Sequence, residues 1–118
     1  MSTCTILHVE DEMLIRFMLA DQLKSRGFEI IDAMDANEAL SLLNADLSFD
    51  LLLTDVKMPG PLDGYELARL VREKLPEVKV IICSAHIPMP EWDEVADAIL
   101  SKPYDWPELV RVIVRLLA

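Results

Sequence analysis

The chain has 118 residues, enough for one domain that buries its own core without disulfide or metal staples. Its 53% hydrophobic content excludes a disordered segment, and no apolar run reaches the ~18 residues of a membrane helix. A formal charge of −10, with 11 Lys and Arg scattered along the chain, argues against a nucleic-acid face and against binding to anionic membrane.

Strand-like and helix-like patterns alternate. Residues 5–9 (Thr5-Ile6-Leu7-His8-Val9) read as a short buried strand. Residues 13–26 follow as a helix with Ile15, Leu19 and Leu23 on one face and Gly27 as its stop. A second strand spans 28–33. Asp35 then caps a helix through Leu43, with Glu38 completing a capping box. The run 49–54 is apolar enough to be covered on both faces. Asp63-Gly64 opens a third helix that ends at Pro76, and residues 78–83 form a fourth strand. The next unit is irregular. Pro88 and Pro90 forbid a full helix, leaving a short helix over 91–97 or a loop with one turn. A fifth strand over 98–101 precedes a last helix capped by Asp105, with Pro107 tolerated in its first turn. Such alternation predicts an α/β fold with a parallel sheet covered on both faces.

The strand ends carry the chemistry. The first strand runs into Glu10-Asp11, the third into Asp55, the fourth into Ser84 and the fifth into Lys102-Pro103. Ligands of open parallel sheets bind outside the carboxyl ends of the strands, so these side chains converge on one crevice. Two carboxylates about 4 Å apart repel by about 4 kcal/mol at an effective dielectric of ~20. Three acids against one lysine leave a residual charge that a divalent cation neutralises, and oxygen donors with room for water and phosphate suit Mg²⁺. A carboxylate beside Mg²⁺ and a lysine can attack phosphorus to form an aspartyl phosphate, with the Ser84 hydroxyl donating to a phosphoryl oxygen.

Val9-Glu10-Asp11, Asp55-Val56-Lys57-Met58-Pro59-Gly60, Asp63-Gly64, Ser84-Ala85 and Lys102-Pro103 together resemble the receiver domain of two-component response regulators, the CheY-like family, across essentially the whole chain. The resemblance implies one receiver domain over 1–118, flavodoxin-like and doubly wound, with five helices around a five-stranded parallel sheet of order 2-1-3-4-5. It further implies Asp55 as phosphoacceptor, with Glu10, Asp11, Asp55 and the Lys57 carbonyl as Mg²⁺ ligands. Lys102 becomes the phosphate-binding lysine, Ser84 the switch hydroxyl, and the Lys102-Pro103 bond cis. The phosphodonor becomes a histidine kinase or histidine phosphotransfer protein, and the phosphorylated form signals through altered protein binding or relays the phosphate. Two positions depart from the family. Ile99 stands where an aromatic switch residue is usual, and the interval from Ser84 to Lys102 is several residues short.

Two rival readings follow from the same residues. One is a receiver-like binding module that works without phosphate, favoured by Ile99. The other is a phosphatase of the haloacid-dehalogenase type, which would need an Asp-x-Asp nucleophile on the first strand, where this chain has Glu10-Asp11-Glu12. A regulatory phosphoacceptor, not an enzyme with a substrate of its own, is the expectation. Lys57 and His86 are loop residues that could tune hydrolysis of the phosphoryl group. Leu14, Phe17 and Met18 leave the first helix with surplus apolar surface for a partner helix. Val110, Val114 and Leu117 offer a homodimer face on the last helix, Trp92 and Trp106 close the core near the irregular unit, and His8 reads as a satisfied core or edge histidine. Cys4 and Cys83 read as reduced core thiols. With no basic signal stretch at the start and no output domain after the last helix, the expectation is a stand-alone cytoplasmic protein.

Overall fold

Each apolar run becomes a strand: β1 (Thr5–Val9), β2 (Glu29–Ala33), β3 (Leu51–Asp55), β4 (Lys79–Ser84) and β5 (Ala98–Ser101). In the computed structural model, which describes residues 3–118, all five pair in parallel in the order β2-β1-β3-β4-β5, as expected. Parallel pairing demands crossovers, and these are α1 (Met13–Lys24), α2 (Ala36–Asn44) and α3 (Gly64–Lys74), with α4 (Trp106–Leu117) closing the chain. The irregular unit holds no α-helix. Its only regular piece is a 3₁₀ turn over Pro90–Glu94, so among the described residues four α-helices stand where the resemblance implies five. Pro90 at the start of the turn and Pro88 just before it remove two backbone donors there.

Strand side chains alternate between two cores. Leu7, Val9, Leu52, Val80 and Ile82 face α2, α3 and the 3₁₀ turn, which contribute Ala39, Leu43, Leu67, Val71 and Trp92. Ile6, Leu51, Leu53, Ile81 and Cys83 face α1 and α4, which contribute Leu19, Leu23, Leu109 and Ile113. Truncating a fully buried leucine such as Leu52 to alanine costs roughly 2–5 kcal/mol. Trp92 closes the first core as expected, but Trp106 packs on the opposite face, against the second. Cys83 is buried and Cys4 only half-buried, which corrects the core assignment of Cys4 because the strand begins one residue later.

Helix ends follow the sequence signals with one exception. Gly27 has φ 93°, and Phe28 N–H donates to Leu23 O while Gly27 N–H donates to Lys24 O, the paired bonds of a Schellman stop. Asp63 and Glu66 form a complete capping box on α3, and Asp105 caps α4 through Glu108 N–H. At α2 the box is half made: Asp35 accepts from Glu38 N–H, but the Glu38 carboxylate takes Met34 N–H instead. His8 is buried in β1 opposite Asp32 of β2, with Nδ1 3.4 Å from Asp32 Oδ1. Neither atom has a hydrogen-bond partner among the described residues, so His8 is a core histidine but not a satisfied one.

Candidate functional site

Register aligns the strand ends. Val9 pairs with Thr54, which sets Glu10 level with Asp55, and Ser84 pairs with Ser101, which sets Lys102 just beyond Ser84. Glu10, Asp11 and Asp55 each offer a carboxylate oxygen, and these oxygens lie within 4.8 Å of one another. Among the described residues no other group of three His, Cys, Asp or Glu does so. Lys102 Nζ lies 3.0 Å from Glu10 Oε1 and 2.9 Å from Asp55 Oδ2, bridging two of the acids. Burial by itself lowers the Lys102 pKa, but hydrogen bonds and charge from Asp55 and Glu10 outweigh it and hold the ammonium well above the usual lysine range. The peptide bond to Pro103 is cis.

The acids differ in setting. Glu10 is almost wholly buried; its Oε2 accepts from Glu12 N–H, and its own N–H donates to Ala33 O. Asp55 is half-buried, with Oδ1 accepting from Val56 N–H. Asp11 lies exposed at the rim. The donor set fits Mg²⁺: an octahedral ion with bonds of ~2.1 Å needs ligand oxygens about 3–4.2 Å apart, and the three acids already stand close to that spread. Lys57 is exposed beside the site, as its loop position implies.

Ser84 is buried at the end of β4, and its Oγ accepts from His86 N–H at 3.0 Å. His86 itself is exposed. Ile99 is half-buried against the core that holds Trp92, so no ring occupies the position where the family has one. Leu14 is 70% exposed, Phe17 59% and Met18 56%, which confirms surplus apolar surface on α1. Beside it lies an apolar pocket of about 360 Å³ between α1 and the β5–α4 loop, whose wall includes Ile15, Met18, Lys102 and Tyr104. On α4, Val114 is exposed while Val110 and Leu117 are half-buried.

Several residues that fix the backbone at the site, and one at the opposite edge of the sheet, carried no sequence signal. Arg16 Nη1 reaches back from α1 to Glu10 O at 2.9 Å and Asp11 O at 3.5 Å. Thr54 Oγ1 donates to Asp55 O at 2.8 Å, and a Cβ on Gly64 would stand 1.8 Å from that same oxygen. Arg72 ties the end of the irregular unit to α3 through Val95 O and Asp97, whose carboxylate also accepts from Val80 N–H. Only Gly64, next to Asp63 in a recognised pair, was visible at all.

Comparison with known proteins agrees with this geometry. Residues 6–114 match the response regulator receiver domain family. The DNA-binding transcriptional regulator NtrC of Salmonella typhimurium is 32% identical over 93% of this chain, and the chain spans 24% of that relative's length. The response regulator receiver protein CpdR of Brucella abortus is 34% identical, with 95% of each chain covered. Among solved structures, the response regulator protein TrrA of Thermotoga maritima in complex with Mg²⁺-BeF superposes with a TM-score of 0.88 at 32% identity, over 98% of this chain and 100% of that one. Five parallel strands in the order 2-1-3-4-5, an acid cluster bridged by a lysine and a family match over most of its length lead to one conclusion: the chain belongs to the response regulator receiver domains of two-component signalling.

Proposed function

We propose that the chain accepts a phosphoryl group on Asp55 from a phosphohistidine on a histidine kinase or histidine phosphotransfer protein. The observation that carries this reading is the Lys102 ammonium held between Glu10 and Asp55, with Asp11 at the open rim. An Asp55 carboxylate oxygen forms the new O–P bond as the P–N bond to the donor imidazole breaks, and the electron pair returns to the imidazole nitrogen. Lys102 then follows the charge onto the phosphoryl oxygens, and the Ser84 hydroxyl donates to one of them. Glu10, Asp11, Asp55 and the Lys57 carbonyl would hold Mg²⁺, which when bound neutralises charge on the transferred group. Lys57 and His86 flank the crevice and tune how fast water reaches the phosphoryl group.

The donor docks on Leu14, Phe17 and Met18 and on the adjoining apolar pocket, whose wall includes Met18 and Lys102. TrrA has also been solved in complex with the histidine kinase ThkA, which supports a partner of this class. Phosphorylation alters binding to a downstream protein or serves as a relay step, in the cytoplasm where such donors act. The exposed Val114 on α4 marks the face through which a second copy would pair. Among the described residues no helix is long and apolar enough to cross a membrane.

Incubation with acetyl phosphate and Mg²⁺, followed by intact mass, tests the reading. Wild type gains one phosphoryl group and Asp55→Asn gains none while keeping its fold. Equal incorporation in Asp55→Asn refutes it.

A further inference from the structure

Among the described residues, Asp11 alone of the three acids has no cation at its carboxylate, since Lys102 reaches Glu10 and Asp55. It lies in a turn of three residues between β1 and α1, which Glu10 Oε2 closes through Glu12 N–H but which no N-cap side chain secures. Glu12, at the N-cap, makes no side-chain cap bond, and the first turn of α1 carries no acid. Glu10 is pinned at its carboxylate and its N–H, which leaves the two carbonyls of Glu10 and Asp11 as the handles on the turn. One guanidinium nitrogen of Arg16 lies 2.9 Å from the first and 3.5 Å from the second. With its carbonyls held by Arg16, the backbone of the turn is fixed independently of the carboxylates.

Resting on the phosphoacceptor reading above, we propose that Arg16 is a positioning residue: by gripping the Glu10 and Asp11 carbonyls it sets the Asp11 carboxylate for a divalent cation. The charge of Arg16 works against this task. A guanidinium next to a cation site repels the cation, so a residue present only for its charge would weaken Mg²⁺ binding. A planar donor that orders the turn strengthens it, as partners of metal ligands commonly do. The two roles predict opposite signs for the same substitution, and a role confined to holding the helix end moves stability without moving metal affinity.

The test is a titration of Mg²⁺ alone into wild type, Arg16→Ala, Arg16→Gln and Arg16→Lys, read by residue-resolved amide shifts alongside thermal melting. Arg16→Ala raises the Mg²⁺ Kd on the order of tenfold. Arg16→Lys, which keeps one donor, recovers part of the loss, and Arg16→Gln, which trades charge for a neutral amide donor, falls no lower in Kd than wild type. An Arg16→Ala Kd that is unchanged or lower overturns the proposal, as does a lowered melting point with an unmoved Kd. If Arg16→Ala fails to fold, the Lys and Gln variants decide by the same criterion: a Kd at or below wild type in both overturns it. Absence of Mg²⁺ binding in wild type is a different result, and it overturns the underlying reading together with this one.

Discussion

Gly64→Ala offers a severe test of how Asp55 is held, because it alters no carboxylate. Gly64 opens α3, and its N–H donates to Val56 O, so the helix start is bolted to the loop that follows Asp55. The φ of Gly64 is not left-handed; what excludes a side chain is close approach. A Cβ there would sit 1.8 Å from Asp55 O, 2.8 Å from Asp55 C and 3.0 Å from Thr54 Oγ1. Ordinary contact begins at 3.4 Å, so the Asp55 carbonyl and the α3 terminus must part by about 1.6 Å. Thr54 grips the same carbonyl, which resists the shift. Overpacking of this kind costs about 1–3 kcal/mol in stability, and a misplacement of ~1 Å at a reacting group slows reaction about 100-fold. Acetyl phosphate labelling followed by intact mass gives the rate, and a urea melt gives the stability. A Gly64→Ala protein that labels at the wild-type rate refutes the claim that this contact positions Asp55, whatever its stability.

Replacing Lys102 by Met separates metal binding from phosphoryl transfer. Loss of one positive charge from the acid cluster tightens Mg²⁺ binding, yet labelling slows on the order of 100-fold because no ammonium meets the phosphoryl oxygens; weaker Mg²⁺ binding in calorimetry would contradict this. Asp11→Ala abolishes the Mg²⁺-dependent amide shifts while the fold persists, and an unchanged titration would remove Asp11 from the ligand set. Arg72→Ala lowers stability by about 2 kcal/mol in a urea melt, since charge-assisted bonds to Val95 O and Asp97 are lost at a half-buried site; a melt equal to wild type would mean that the irregular unit is held without Arg72, by its apolar contacts and the Asp97–Val80 bonds. Burial pushes the Cys83 thiol up to about 12 from an ordinary 9.0, against the opposing Lys102 charge and with smaller help from Asp55 and Glu10. The fold therefore keeps a proton that the unfolded chain releases, and this contribution to stability is full below pH 9 and lost as pH rises toward 12. Iodoacetamide at pH 9 should label half-buried Cys4 and spare Cys83, and equal labelling would show that the thiol is accessible.

Strands and site were legible for the same reason. Each apolar run ends in a chemically distinct residue, and parallel pairing brings such ends to one edge, so Glu10, Asp11, Asp55, Ser84 and Lys102 could be gathered before any coordinates. Caps were legible because they are local: Asp35 and Asp105 each accept from the backbone N–H three residues on. What stayed hidden depends on distance in space. Arg72 meets Asp97 across 25 residues and Arg16 turns back six residues, against the direction in which a helix pattern is read. The His8–Asp32 pairing required the β1–β2 register. Glu38 looked like half of a capping box by spacing, but Met34 N–H offered it a competing donor that spacing does not reveal. Prolines correctly ruled out a full helix after Ser84, and Trp92 closes the core there as its apolar ring implied, whereas the side of the sheet that Trp106 joins was not legible.

The most direct measurement is chemical trapping of the phosphorylated residue. Borohydride reduction converts an aspartyl phosphate to homoserine, which peptide mass spectrometry locates after digestion. The account predicts homoserine at position 55 alone, dependent on Mg²⁺ and absent from Lys102→Met at short times. Homoserine at another aspartate, or none in protein that carries a phosphoryl group, would contradict it.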